Sequence, residues 1–245
     1  MKWIFSLAAV MALIIGIAAA PVMAAEATAA VDIASAYVWR GQTFNDGMVV
    51  QPSIDVAAEN GLSINVWGNY DIDDYNDTLE TSEFSEIDLT LSYGKSFGDL
   101  DAGVGIIEYL FPGGGTGTSE LYLSLAYALP ANLSVGFDIY YDFDEVEEYY
   151  TVLSLGYATD LTQKLAFEGG VAVAYAGDEY AGDGDGGLYD YTLSASLGYA
   201  LTDAWGLSVY ANYVGSLDDD NLVEEDDGGP LDTQFYGGVG ISYAF

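Results

Sequence analysis

Beyond the N-terminal segment, hydrophobic and polar residues alternate in runs of about ten, each closed by a turn. One run places Leu121, Leu123, Leu125, Tyr127 and Leu129 on one parity, and Glu120, Tyr122, Ser124, Ala126 and Ala128 on the other. The next sets Leu133, Val135, Phe137, Ile139, Tyr141 and Phe143 against Ser134, Gly136, Asp138, Tyr140 and Asp142. A period of two with one apolar and one polar face specifies strands, because successive side chains leave a strand on opposite sides. A tilted strand needs about ten residues to cross a bilayer. Twelve runs are expected, near 30–40, 49–58, 62–72, 84–95, 100–111, 118–129, 133–143, 149–159, 165–176, 188–200, 206–216 and 233–245. The fold class this predicts is all-β: a transmembrane antiparallel up-and-down β-barrel of about 12 strands.

The connections alternate in kind. Those at 41–48, 73–83, 112–117, 144–148, 177–187 and 216–232 are the longer ones and mostly polar, acidic or glycine-rich, whereas Glu59-Asn60-Gly61, 96–99, Pro130-Ala131-Asn132, 160–164 and 202–205 are short. Long outer loops and tight periplasmic turns are the pattern of outer-membrane barrels. Five runs ending at the short-turn side close on one phrase: Leu91-Ser92-Tyr93-Gly94, Leu125-Ala126-Tyr127-Ala128, Leu155-Gly156-Tyr157-Ala158, Leu197-Gly198-Tyr199-Ala200 and Ile241-Ser242-Tyr243-Ala244-Phe245. Their tyrosines share the outward parity and one depth, so they predict the inner aromatic girdle. The outer girdle is expected from Tyr37, Trp39, Tyr70, Tyr141, Phe143, Tyr149, Tyr175 and Tyr213. One run departs from the pattern, since Glu108 shares parity with Val104 and Ile106; a bulge, or a position beyond the membrane, is expected there.

The N-terminus sets the compartment. Lys2 precedes an apolar run from Ile4 to Ala20, followed by Val22-Met23-Ala24, the arrangement of a cleavable secretory signal peptide over residues 1–24 with the barrel domain over 25–245. The expected localisation is the cell outer membrane, with outer-membrane lipid and lipopolysaccharide as surroundings and the barrel assembly machinery as partner during insertion. Closure on alternate apolar and aromatic residues makes Tyr243 and Phe245 the expected assembly signal.

Composition narrows the chemistry. The formal net charge is −35, and the chain holds no histidine and no cysteine. Thiol nucleophiles, zinc sites of the usual kind and Ser-His arrangements are excluded. The only cations beyond Lys2 are Arg40, Lys95 and Lys164, far too few for a nucleic-acid partner. No catalytic residue, cofactor or metal site is assigned, and the chain is read as a non-enzyme, although paired carboxylates abound. The acidic stretches Asp71–Asp77, Asp183-Gly184-Asp185 and Asp218-Asp219-Asp220-Asn221 carry oxygen ligands of the sort calcium takes, but lack the EF-hand order and read as solvated loops.

If the apolar parity meets lipid, the inward set contains Asp32, Arg40, Asp55, Glu86, Asp88, Glu120, Asp138, Asp142, Glu168 and Asp190 among hydroxylic and small residues. Buried carboxylates must be hydrated, protonated or paired. One arginine cannot pair them all, so the expectation is a hydrated lumen whose carboxylates prefer cations, with Arg40 bridging neighbouring strands at the outer mouth.

The phrase Ala36-Tyr37-Val38-Trp39-Arg40-Gly41, followed by Gln51-Pro52-Ser53, resembles the TorF-related family of porins, with a more distant likeness to MltA-interacting or OmpV-type barrels. The resemblance implies an outer-membrane barrel of about this length and assigns no binding residues. Two functions stand: a narrow, cation-preferring channel for small solutes, or a non-conducting surface barrel with a structural, cation-binding or adhesive role through its acidic loops. Removal of Phe245 is expected to lower sharply the yield of heat-modifiable barrel, read on unheated gels; wild-type yield would refute the terminal signal.

Overall fold

The computed structural model describes residues 25–73, 82–180, 186–223 and 230–245. The expected signal peptide at 1–24 lies outside the described residues, as do Asp74–Asp77 and Asp183–Asp185 of the acidic stretches. Fourteen strands are present: β1 (Ala25–Ala34), β2 (Tyr37–Trp39), β3 (Gln42–Asn45), β4 (Val49–Ala58), β5 (Leu62–Asp71), β6 (Glu83–Phe97), β7 (Leu100–Leu110), β8 (Thr118–Leu129), β9 (Leu133–Asp142), β10 (Tyr149–Asp160), β11 (Leu165–Ala176), β12 (Gly187–Ala200), β13 (Trp205–Ser216) and β14 (Phe235–Ala244). Twelve of them form one closed barrel, in which β1 pairs with β14 on one side and β4 on the other, all antiparallel. Closure pairs every strand edge, the condition for backbone to lie in hydrocarbon.

The alternation reads out as expected. Leu121, Leu153, Ile54 and Val239 stand exposed on the exterior, while their neighbours of opposite parity point into the lumen. Tyr93, Tyr127, Tyr157 and Tyr199 are exposed on the exterior toward the short-turn end. There Tyr243 packs between Trp205 and Phe245, with ring centroids 4.8 and 4.9 Å away. The Phe245 amide donates to the carbonyl of Ala27 at 2.9 Å, so the chain end is bonded to the first strand. At the opposite end, Tyr141, Phe143, Tyr149 and Tyr175 are exposed, and Tyr149 stacks on Tyr175 with planes 4° apart. Among the described residues no helix is long and apolar enough to cross a membrane.

The first strand differs from expectation. The wall is built from Ala25–Ala34, and the expected run at 30–40 is cut after Ala34. Alanines dominate Ala25–Ala30 and give no alternation, so the stronger pattern of Tyr37-Val38-Trp39 sets the expected run too far downstream. That stretch instead forms the hairpin β2–β3, which leaves the wall and turns inward. Tyr37 and Trp39 are therefore not girdle residues: Tyr37 is buried against Ala34 and Val49, with Trp39 and Trp67 packed beside it. At Glu108 no bulge occurs; β7 keeps unbroken register with β6 and β8, and the carboxylate accepts a 2.7 Å bond from the Ser119 hydroxyl near the end of the strand.

The packed core lies inside the barrel at the long-loop end. Leu222 and Leu231, both fully buried, reach in from the connection after β13 and meet Tyr150, Ala174, Ala176, Tyr189 and Val214 of the wall, with Val38 of the hairpin alongside. Backbone bonds tie the two inserted segments together: Thr43 donates its amide to Pro230, and its hydroxyl accepts from the amides of Asp232 and Thr233.

Candidate functional site

The hairpin turn is Arg40-Gly41, flanked by the pair Trp39 and Gln42. Both residues have positive φ, 49° and 76°, as a two-residue turn of the type favoured in hairpins requires. Glycine suits the second position for a further reason: a Cβ on Gly41 would come within 2.6 Å of Leu222 Cδ2. The turn thus delivers the arginine side chain to the far wall of the barrel.

There Arg40 meets Glu120 of β8 as a two-pronged pair, Nη1 to Oε1 at 2.6 Å and Nη2 to Oε2 at 2.7 Å. Each carboxylate oxygen also accepts a tyrosine hydroxyl, Tyr180 at Oε1 and Tyr109 at Oε2. Tyr180 in turn accepts from Arg40 Nη1 at 2.6 Å, closing a ring of bonds. The guanidinium carbon lies 4.2 Å from the ring centre of Trp39 and 4.6 Å from those of Tyr140 and Tyr150, an aromatic cage that favours a cation. The pair is almost wholly buried, its side chains 7% and 1% exposed. Desolvating two charges is costly, and only such fork geometry with saturated lone pairs offsets it. Burial alone would lower the Arg40 pKa, but Glu120's hydrogen bonds and charge carry it above its ordinary value. Burial pushes the hydroxyls of Tyr180 and Tyr37 up from their ordinary value, assisted for Tyr180 by Glu120 and for Tyr37 by Glu86 and Asp88.

Two further contacts pin the hairpin. Tyr37 donates to Glu86 at 2.8 Å, with Asp88 two residues along the same face of β6. Asn45 donates to Asp71 at 2.7 Å, and Asn69 reaches the same oxygen at 3.0 Å. Nearby, Asp190 accepts from Tyr150 at 2.5 Å. Asp142 caps the next connection, one oxygen taking the amides of Asp144, Glu145 and Val146.

The candidate carboxylates therefore fall into two groups. Glu86, Glu120, Asp142 and Asp190 are buried and bonded to protein at the long-loop end, with Asp88 beside them; this corrects the expectation of general hydration, because tyrosine hydroxyls, and for Asp142 the Thr118 hydroxyl and backbone amides, supply the donors that cations could not. Arg40 is likewise corrected: it sits at the tip of an inserted hairpin and joins the opposite wall rather than neighbouring strands. Asp32, Asp55, Asp138 and Glu168 keep lumenal parity below the hairpin. Asp55 accepts from Asn65 at 2.7 Å. Asp138 and Glu168 border a cavity of about 660 Å³ whose wall on β8–β13 is mostly serine, glycine and alanine.

Tyr109, Tyr150, Tyr180, Asn45 and Asn69 are not singled out by the sequence. Alternation marks which way a side chain points, and the inward partner of an inserted loop carries no periodic signal. The one local sign was Arg40-Gly41 between two β-rich triplets, a two-residue hairpin.

Residues 18–160, more than half of the chain, match a family described as "Bacterial protein of unknown function (Gcw_chp)". No curated protein matches the sequence. Among solved structures, the chain is similar to "KdgM porin" at TM-score 0.59 and 16% identity, covering 89% of this chain and 99% of that one. It is also similar to "KdgM porin in complex with disordered oligogalacturonate" at TM-score 0.58 and 14% identity, covering 90% and 99%. "NanC porin structure in rhombohedral crystal form" follows at TM-score 0.55 and 13% identity, covering 90% and 99%. At these identities the likeness is one of fold.

Replacing Arg40 with Gln strands Glu120 and is expected to release the hairpin while the barrel, whose strands close without it, still forms. A Val38→Cys reporter in this cysteine-free chain should react with a thiol reagent about tenfold faster or more in the Arg40→Gln background, given a penalty of about 3–5 kcal/mol for breaking a buried pair. Docking also has a pH signature. The docked tyrosines hold their protons above the ordinary value of 10.0, so their contribution is complete at neutral pH and is lost as pH climbs past that value, where undocked tyrosine ionises first. Fluorescence of Trp39 should stay constant across the neutral range and change only in that alkaline limb.

Proposed function

The chain belongs to the Gcw_chp family, and we propose that it is a narrow, cation-preferring channel of the bacterial outer membrane, its bore restricted by the hairpin β2–β3. The observation that carries this reading is the charge of the lumen. Asp32, Asp55, Asp138 and Glu168 line it below the hairpin, while its one arginine is neutralised by Glu120. Carboxylates around a narrow bore attract cations and repel anions. The apolar exterior between two aromatic belts supports residence in a bilayer, and residues 1–24 serve as the export signal. On this reading the long-loop end faces outward among lipopolysaccharide, Tyr243 and Phe245 are read by the assembly machinery, and Tyr37-Val38-Trp39-Arg40-Gly41 aligns the chain with the TorF-related porins. No chemistry is assigned to the carboxylates, so the protein is read as a conduit and not an enzyme.

A similar fold is found in complex with oligogalacturonate, a chain of negative charges. A lumen as acidic as this one suits solutes of the opposite sign. The packed long-loop end gives the second reading its one support: with hairpin and Leu222 and Leu231 in place, the barrel could stand closed at the surface.

Planar-bilayer recordings decide between them. The channel reading expects small unitary steps and a reversal potential favouring potassium over chloride, with a larger conductance in Arg40→Gln. Silence in both proteins, or anion selectivity, overturns it.

A further inference from the structure

We infer that the chamber beneath the hairpin binds an extended organic polycation, of the class of protonated aliphatic polyamines. The inference rests on the reading of the lumen as a passage and names what that passage takes. Three features of the chamber lead to it.

The first is the wall. Lumenal hydroxyls lie across glycines of the neighbouring strand: a Cβ on Gly136 would meet Ser154 Oγ at 2.4 Å, and one on Gly156 would meet Ser134 Oγ at 2.7 Å. Side chains thus lie flat against the sheet, and the space stays open to a volume of about 660 Å³. A slender occupant can run along such a wall, placing methylenes on glycine and alanine and donors on hydroxyls.

The second is the spacing of charge. Asp138 of β9 stands beside Val152 of β10, and Glu168 of β11 stands beside Ala158 of the same strand. Those six positions along β10 amount to roughly 20 Å of strand. The two carboxylates therefore face one chamber at different levels. No group of three or more metal-ligating side chains among the described residues is placed to hold a metal ion. A compact ion neutralises one carboxylate at a time; a chain of ammonium groups separated by methylenes reaches toward both.

The third is the lack of competitors. Arg40 is committed to Glu120, the Lys164 ammonium, exposed at the short-turn end, donates to the Leu201 carbonyl, and the Lys95 ammonium lies over the exposed Phe97 ring. An anionic solute would find no counter-charge beside Asp138 and Glu168, and a neutral sugar would leave both charges uncompensated.

The test is spermine binding to the full-length barrel in detergent, by titration calorimetry at physiological salt. Three proteins are compared: the wild type, Asp138→Asn/Glu168→Gln, and a loop control, Asp219→Asn/Asp220→Asn, which removes the same charge from the exposed surface. Unheated gels verify that all three are folded. Saturable binding that weakens about tenfold or more in the lumenal variant and holds in the loop variant is expected. Binding indifferent to the lumenal change, binding weakened equally by the loop change, or equal affinity for maltose each overturns the inference. Current recorded separately keeps the two readings apart: spermine binding without current retains the site and removes the passage, and current without site-dependent binding does the reverse.

Discussion

A barrel whose exterior takes every second side chain as an apolar one has nowhere to put its charge except its connections and its lumen. Closure holds that constraint on all twelve barrel strands at once, because a closed sheet offers no edge at which a polar group could escape. With a net charge of −35, carboxylates accumulate inside whatever else the barrel does. The remaining architecture is a set of answers to that accumulation. Below the hairpin, wide spacing and an open chamber keep the carboxylates apart. At the long-loop end, where segments fold inward and exclude solvent, tyrosine hydroxyls and asparagine amides do the work that counter-ions do elsewhere.

The Arg40–Glu120 pair is where these answers meet. A single guanidinium, roofed by aromatic rings and gripped by both oxygens of one carboxylate, fixes the depth of the hairpin. Tyr37 on Glu86 and Asn45 on Asp71 then fix its rotation, and Leu222 closes over Gly41. Alongside the packing of Leu222, the hairpin depends on buried donors aimed at buried carboxylates. A mismatch therefore weighs more than the loss of an ordinary surface contact.

Much of the wall was legible in the residues. Leu121–Leu129 and Leu133–Phe143 announce strands because lipid and lumen impose opposite polarities on adjacent positions, and eleven of the expected runs coincide with barrel strands to within three residues. The first failed for the same reason the others succeeded: Ala25–Ala30 presents neither polarity, while Tyr37-Val38-Trp39 presents a strong one in a segment that never joins the wall. The lumenal parity of Glu86, Glu120 and Asp190 was readable, but their partners were not. Tyr180 lies in a connection and Arg40 at a turn, and which of many tyrosines would face which of many carboxylates is settled only by the third dimension.

The hairpin's partners lie far along the chain. It occupies the front of the barrel chain, yet Glu86 lies 49 residues further on, Glu120 80, Tyr180 140 and Thr233 190 from the residues they hold. Locally it has only the apolar contacts of Tyr37 with Ala34 and Val49; its polar anchors come from strands and loops later in the chain. The earliest part of the interior thus draws its bonds from the whole length of the wall, and a fully bonded hairpin requires that wall to be complete.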